Sequence, residues 1–173
     1  MRPMWLHSAN SFIRPAILGI GMAALSSLLL FSLVASPVRV EGVSMVPSLS
    51  PRQRLIISPL LARWDLKRTD LVVLNHPQHS ATNLIKRVAA VPGDRLCINS
   101  RGIYVNNRQI STWTAGSCTP FMDITIPHGH VFVLGDNLNC SNDSRTFGPV
   151  PVTRILGKVV LSYWPFSRIG IPR

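Results

Sequence analysis

Acidic residues are scarce. Seven Asp and Glu stand against 18 Lys and Arg in 173 residues, a formal net charge of +11. Such a balance suits an anionic partner, either lipid head groups or nucleic acid. Yet the modules that read nucleic acid are missing: no zinc-finger spacing, no basic heptads, no ribonucleoprotein-type aromatic run. The basic residues are scattered rather than clustered. A membrane surface is therefore the expected partner, and nucleic acid is not.

Cysteine is sparse too. Cys97, Cys118 and Cys140 do not make a disulfide scaffold, and none has metal-site spacing. Cys97 and Cys118 are the natural pair outside the cytoplasm; the alternative is three unpaired, mostly buried thiols. Two histidine pairs, His76-x-x-His79 and His128-x-His130, have ligand-like spacing but no third-ligand pattern. Both sit in turn-like segments, "NHPQH" and "PHGH", and are expected to be solvated. No metal and no cofactor is expected. Internal repeats and low-complexity segments are absent as well.

One long apolar run is present. Residues 16–35, "AILGIGMAALSSLLLFSLVA", carry no charge. At the helical rise such a run spans about 30 Å, the thickness of a bilayer core. A cleavable signal peptide is the rival reading, but its apolar core is normally about 7–15 residues. Pro37 also sits awkwardly where cleavage would fall. A retained transmembrane anchor is expected at 16–35, after a short flank at 1–15. Arg2 and Arg14 precede the run and Arg39, Arg52 and Arg54 follow it, so charge does not decide the orientation.

Beyond residue 37 no long helical periodicity appears. Runs rich in Val, Ile and Leu read as strands: "RLIIS" (54–58), "DLVVL" (70–74), "NLIKRVAAV" (83–91), "VFVLGD" (131–136) and "GKVVLSYW" (157–164). "IYVNNRQI" (103–110) predicts a hairpin over Asn-Asn. Pro92-Gly93 fits a type II turn, because glycine takes the positive φ that turn requires. Fourteen prolines suit such a turn-rich body. The fold class is mainly β: a compact antiparallel sheet domain over 37–173, preceded by one N-terminal transmembrane helix.

Three stretches carry candidate chemistry. In "EGVSMVPSLSP" (41–51) Ser44 lies between Val43 and Met45. A serine is a poor nucleophile unless a neighbour takes its proton, and a turn serine is the plainer reading. In "TNLIKRVAAVPGD" (82–94) Lys86 interrupts an apolar strand, sharing a face with Leu84 and Val88 while Arg87 shares the other with Ile85 and Ala89. Either Lys86 lies at an edge and reaches water, or it points inward and its pKa falls. To serve as a base near neutrality the pKa must drop from about 10.4 to roughly 7–8. In "VFVLGDNLNCSNDSRTFGPVP" (131–151), Ser141, Asp143, Ser144 and Arg145 crowd into five positions. Ser141 could orient a neutral lysine. Asp143 and Arg145 could pair and brace the loop, or form an ordinary surface ion pair.

"GVSMVPSL", "LIKRVAAVPGD" and "GDNLNCSNDSRTFGPVP", in this order after one apolar span, resemble a type I signal peptidase. "DLVVL" between the first two also fits, with Thr69 where the family usually has Gly, and "LSYWPFSRIG" resembles its closing strand. The resemblance covers roughly residues 36–170. It implies a serine endopeptidase with Ser44 as nucleophile and Lys86 as general base, Ser141 orienting the amine, and Asp143 and Arg145 as support. It implies cleavage of signal peptides from exported preproteins, after small residues of the Ala-x-Ala type, by a single-pass membrane protein with its catalytic domain on the extracytoplasmic side. Some members carry a serine two residues before the nucleophile, where this chain has Gly42. The oxyanion would then rest on backbone N–H groups of the Gly42 region, chiefly that of Ser44. By the same resemblance Val40, Met45, Leu49, Leu84 and Ile85 would line pockets for small side chains, or be simply core. Trp64, Trp113 or Trp164 would suit the membrane interface.

Related Ser–Lys maturation peptidases, of the mitochondrial inner-membrane type or processing conjugative pilin, are close alternatives. A repressor-type self-cleaving protein shares the chemistry but would bind DNA. A non-catalytic anchored binding module would need neither Ser44 nor Lys86.

Overall fold

The computed structural model describes residues 6–64, 66–79, 82–112 and 121–172, with side chains at 6–13, 28–33, 63 and 64 outside the described set. The chain divides into two units, one ending at Ala35 and the other beginning at Ser36.

The first unit is a helix, α1, Leu6–Val34. Its Ala, Leu and Met residues are strong helix formers. It stops just before Ser36-Pro37, where the residue preceding proline is pushed toward extended backbone. Ile17, Leu18, Ile20, Met22 and Leu25 are exposed. The Ser26 hydroxyl is satisfied within the helix by the carbonyls of Met22 and Ala23. Among the described residues no helix is long and apolar enough to cross a membrane. The run expected at 16–35 is thus observed as helix over all but its last residue. Its most apolar part, "LLLFSL" (28–33), lies among the side chains outside the described set.

The second unit holds two antiparallel sheets. The larger is built from β1 (Ser36–Arg39), β2 (Arg54–Ser58), β3 (Leu71–Asn75), β4 (Asn83–Ala90), β9 (His130–Leu134), β10 (Val150–Pro151) and β11 (Ile155–Trp164). The smaller uses β5 (Arg95–Asn99), β6 (Gly102–Val105), β7 (Arg108–Ser111) and β8 (Met122–Thr125). Strand order is β1-β2-β11-β3-β4-β9-β10 in the first and β7-β6-β5-β8 in the second. Every predicted strand is present, displaced by a residue or two at its ends. The β6–β7 hairpin turns over Asn106 and Asn107, both at positive φ (50° and 64°), as a two-residue hairpin turn demands. At Val91-Pro92-Gly93-Asp94 the Asp94 N–H reaches the Val91 carbonyl at 3.0 Å with Gly93 at φ 84°, the type II turn expected there.

Two short helices interrupt the β body. α2 (Pro59–Trp64) opens with proline at its first position, and Ser58 Oγ accepts from the Leu61 N–H. α3 (Ser144–Phe147) is capped by Asp143. Six and four residues are too few to display a helical period, so neither shows in the apolar pattern.

Three apolar clusters form the interior. One joins Val40, Met45 and Leu49 to Leu55, Ile57, Leu71, Val73 and Val159. A second groups Val72, Leu74, Val88, Val131 and Val133. The third, around Leu96, Ile98, Ile103, Val105 and Phe132, serves the smaller sheet and its junction with the larger.

Candidate active site

β4 lies inside the larger sheet, with β3 on one side and β9 on the other. Lys86 pairs with Val72 of β3. Alternation puts Lys86, Val88 and Ala90 on one face, at 2%, 1% and 0% exposure. The reading of Lys86 as a side chain that reaches water is therefore overturned: the amine points into the interior. Arg87 points the other way, where its guanidinium grips both Asp136 oxygens at 2.7 Å and donates to the Thr69 carbonyl. Arg87 borders an open cavity of about 560 Å³ lined by Arg68, Thr69, Arg108 and Leu138 among others.

The inward amine is hydrogen-bonded. Lys86 Nζ donates to Ser141 Oγ at 3.0 Å. Burial pushes the Lys86 pKa down to about 8; Asp143 pulls it up, Arg145 pushes it down and Asp136 pulls it up. An amine with that pKa is neutral for an appreciable fraction of the time at mildly alkaline pH, so it can accept a proton.

Ser141 follows a 3-10 turn at Leu138–Cys140 and is fixed by its neighbours. Asp143 is fully buried. Its Oδ2 accepts from the Gly135 N–H at 3.0 Å, and its Oδ1 accepts from Arg145 Nε at 2.7 Å. Arg145 Nη2 donates to Asp143 Oδ2, to the Leu138 carbonyl and to the Ser141 carbonyl. The pair is thus a buried brace for the loop, not an exposed ion pair. Ser144, also fully buried, ties the loop to β9 by accepting from the Val133 N–H at 3.0 Å.

Ser44 sits half-buried in the turn after Val40. Its carbonyl accepts from the Asn137 N–H at 3.0 Å. Gly135 has no room for a side chain: a Cβ there would lie 2.6 Å from the Ser44 carbonyl oxygen and would collide with Ser141 Oγ. Gly135 is therefore where the Ser44 turn and the Ser141 loop meet. In the sequence it reads only as a turn residue, and nothing local to "LGDN" signals the close approach. Gly42 has φ +79°, which favours glycine, and a Cβ there would meet nothing within 4 Å. A serine at 42 would have space but a strained backbone.

The residues expected to line pockets separate. Val40, Met45 and Leu49 are buried in the first apolar cluster, and half-buried Ile85 packs against it. Leu84, one residue earlier on the strand, faces the second cluster instead.

His76 corrects the expectation of solvated histidines. It is 3% exposed, with its ring edge-on to Phe147 at 5.4 Å between centroids. Its Nδ1 accepts from the N–H groups of Gln78 and His79, and its Nε2 lies 3.1 Å from the Asn142 amide. Burial comes from residues distant in sequence, which "NHPQH" alone does not reveal. His79 and His128 are exposed and His130 is half-buried. No group of three or more metal-ligating side chains occurs among the described residues. Cys97 is half-buried and Cys140 exposed; Cys118, and with it the expected Cys97–Cys118 pair, lies outside the described residues, as does Trp113. Trp164 is exposed and meets Phe166 edge-on at 4.8 Å.

The family model described as "Signal peptidase, peptidase S26" matches residues 13–164. A probable signal peptidase I-2 of Synechocystis is 30% identical over 96% of this chain and 77% of its own length. A mitochondrial ATP-independent inner membrane protease subunit 1b of Arabidopsis thaliana is 37% identical over 75% of this chain and 70% of its own. Signal peptidase I of Bacillus caldolyticus is 33% identical over 76% and 80%. Among solved structures, a signal peptidase I from Enterococcus faecalis aligns with TM-score 0.46 and 25% identity, covering 54% of this chain and 96% of that one. The family match covers most of the chain, and the chain belongs to the signal peptidase family, peptidase S26, as a serine endopeptidase.

Proposed function

We propose that the protein removes N-terminal signal peptides from exported preproteins, with Ser44 as nucleophile and Lys86 as general base. The observation that carries this is the buried lysine amine, held at 3.0 Å from the Ser141 hydroxyl, with its pKa depressed to about 8. Burying a lysine amine is costly even when it is hydrogen-bonded, which favours a chemical role over a packing one here. Neutral Lys86 takes the Ser44 hydroxyl proton as the oxygen attacks the scissile carbonyl. The oxyanion develops against backbone N–H groups of the Gly42–Ser44 turn. The lysine, now charged, returns its proton to the leaving amine. Water then releases the acyl group from Ser44, with the same lysine accepting its proton. Ser141 aims the amine, while Asp143 and Arg145 keep Ser141 in place.

The substrate's site follows from strand pairing. Residues 83–86 pair with β3 only, because the β9 register begins at Arg87. That free half-edge suits an extended peptide added as a strand beside the nucleophile turn. Ile85, with Val40, Met45 and Leu49 behind it, offers a shallow apolar floor consistent with small side chains before the cut, as in Ala-x-Ala. The uncharged run at 16–35 and the exposed apolar residues of α1 support a single-pass membrane anchor, with catalysis outside the cytoplasm and lipid as the basic chain's partner. Relatives of both bacterial and mitochondrial inner-membrane types are matched, so a maturation peptidase of the second kind would use the same chemistry on another presequence.

The test is cleavage of a preprotein bearing Ala-x-Ala before the cut. Wild type should cleave, with a rate that rises with pH through a midpoint near 8. Ser44→Ala and Lys86→Ala should fold and not cleave. Lys86→Arg should also be inactive, since a guanidinium keeps its proton. Normal cleavage by any lysine variant ends the assignment.

A further inference from the structure

His76 is a buried titratable group with no part in the steps above. It begins the connection from β3 to β4, directly after Asn75, whose strand partner is Asn83. The connection closes on itself: the His76 N–H donates to the Thr82 carbonyl at 2.9 Å, and the Thr82 N–H donates to the His79 carbonyl at 2.9 Å. Within it, His76 Nδ1 accepts from the N–H of Gln78 at 3.0 Å and of His79 at 3.2 Å. A nitrogen facing two donors carries no proton. The neutral ring therefore holds its proton on Nε2. The atom placed 3.1 Å from it is Asn142 Nδ2; two N–H donors cannot face each other, so a half-turn of the amide, which exchanges its nitrogen and oxygen, gives Nε2–H its acceptor.

Asn142 stands between Ser141, which receives the Lys86 amine, and Asp143, which braces the loop. β3, which leads into His76, pairs with β4 at Lys86 itself. The His76–Asn142 bond thus links the strand pair that carries the lysine to the loop that carries its partner. The Asp143–Arg145 brace fixes that loop to Gly135, at the end of β9, and to the 3-10 turn.

We propose that His76 is a positioning residue: acting through Asn142, it holds Ser141 in register with Lys86. This rests on the Ser44–Lys86 reading. The groups around the imidazole are His79 on its own loop, Lys86 on β4, Asn142 on the Ser141 loop and the Phe147 ring of α3. Burial lowers the His76 pKa first, and the nearby His79 and Lys86 lower it further, so the ring stays neutral where the lysine titrates.

The experiment uses the full chain in detergent and two variants. His76→Asn keeps an acceptor for the Gln78 N–H, as asparagine does in turns, but cannot reach Asn142. Asn142→Ala acts at an exposed position and leaves the interior untouched. Each should lower kcat by about tenfold to a hundredfold with KM within about twofold, the signature of a misaligned reacting group. The double variant should be no worse than the poorer single one, because both remove one shared interaction. A second readout needs no cleavage. In Ser44→Ala protein, the NMR titration of the Lys86 ε-methylene should move upward by about one pH unit when His76→Asn is added, as a loosened loop admits water to the amine. If Asn142→Ala leaves kcat and the Lys86 titration unchanged, the positioning role is overturned. If only the melting temperature falls, His76 is merely structural and the proposal is equally overturned. Cleavage by Ser44→Ala itself would instead sink the reading beneath it.

Discussion

The two sheets of the second unit treat polar groups differently. The larger sheet and its loops bury Gln53, Ser58, His76, Lys86, Asp143, Ser144 and Ser162. The smaller sheet buries Leu96, Ile98, Ile103 and Val105 and keeps its Arg95–Asp123 ion pair in water, with side chains 63% and 52% exposed. Asp94, at the turn between the sheets, is a buried acid at their junction, gripped by Arg68. Desolvating polar groups is costly, and the larger sheet tolerates it because each finds a partner: among the described residues no buried side-chain polar atom lacks one. The difference separates the half of the molecule built for chemistry from the half built for packing.

Substitution at the proposed Ser44–Lys86 pair should break this contrast most severely. Ser44→Ala or Lys86→Ala should reduce cleavage by roughly four to six orders of magnitude in single-turnover assays, the scale at which removing one member of a concerted set abolishes the set. No substitution on the exposed face of the smaller sheet should approach that.

The two Arg–Asp pairs come next. Asp143→Ala strands the buried Arg145 guanidinium and should cost about 3–5 kcal/mol in denaturant unfolding. Asp123→Ala should cost no more than about 1 kcal/mol, because water already solvates that pair. Equal losses would show that burial is not what distinguishes the sheets.

Lys86 should reveal a conflict between stability and activity. Its folded pKa of about 8 lies below the ordinary 10.5. Between those values the unfolded chain binds a proton that the folded chain does not, so stability rises with pH through the window and falls as pH drops toward 8. Lys86→Met removes that penalty. At pH 7 it should be more stable than wild type by about 3 kcal/mol, at about 1.36 kcal/mol per pH unit. The advantage should shrink as pH climbs toward 10.5. Chemical unfolding at several pH values checks both the size and the sign.

The smallest effect is expected at Thr69, where φ is 75° and the family usually carries glycine. A β-branched residue there is strained by about 1–2 kcal/mol, and glycine's extra chain entropy offsets about half of it. Thr69→Gly should therefore stabilise by up to about 1 kcal/mol, seen as a modest rise in Tm.

Much of this architecture is legible in the amino-acid sequence. The strand runs, the Asn106-Asn107 hairpin and the Pro92-Gly93 turn are local, and each carries its own stereochemical requirement. Alternation places Lys86 on the face of Val88, and the folded sheet keeps it there. Alternation alone does not tell which face is inward, because that depends on the Ser141 loop and the second apolar cluster packing over it. His76 escapes a local reading for the same reason: its burial is supplied by Phe147 and Asn142, far along the chain. The separation of Leu84 from Ile85 follows from two cores on opposite sides of one strand, which a single run of apolar letters does not disclose. The anchor rests on the uncharged run alone, and the described structure contributes its helix.

The bare backbone at Gly135 has one more implication. The Ser44 turn and the Ser141 loop touch there without any side chain between them, so their spacing is set by a missing methyl group. Restoring that methyl would act as a wedge between the Ser44 carbonyl and Ser141, parting the two segments while leaving the Ser44 and Lys86 side chains intact. The proposed Ser44–Lys86 pair can thus be perturbed from a position that takes part in no bond-making step.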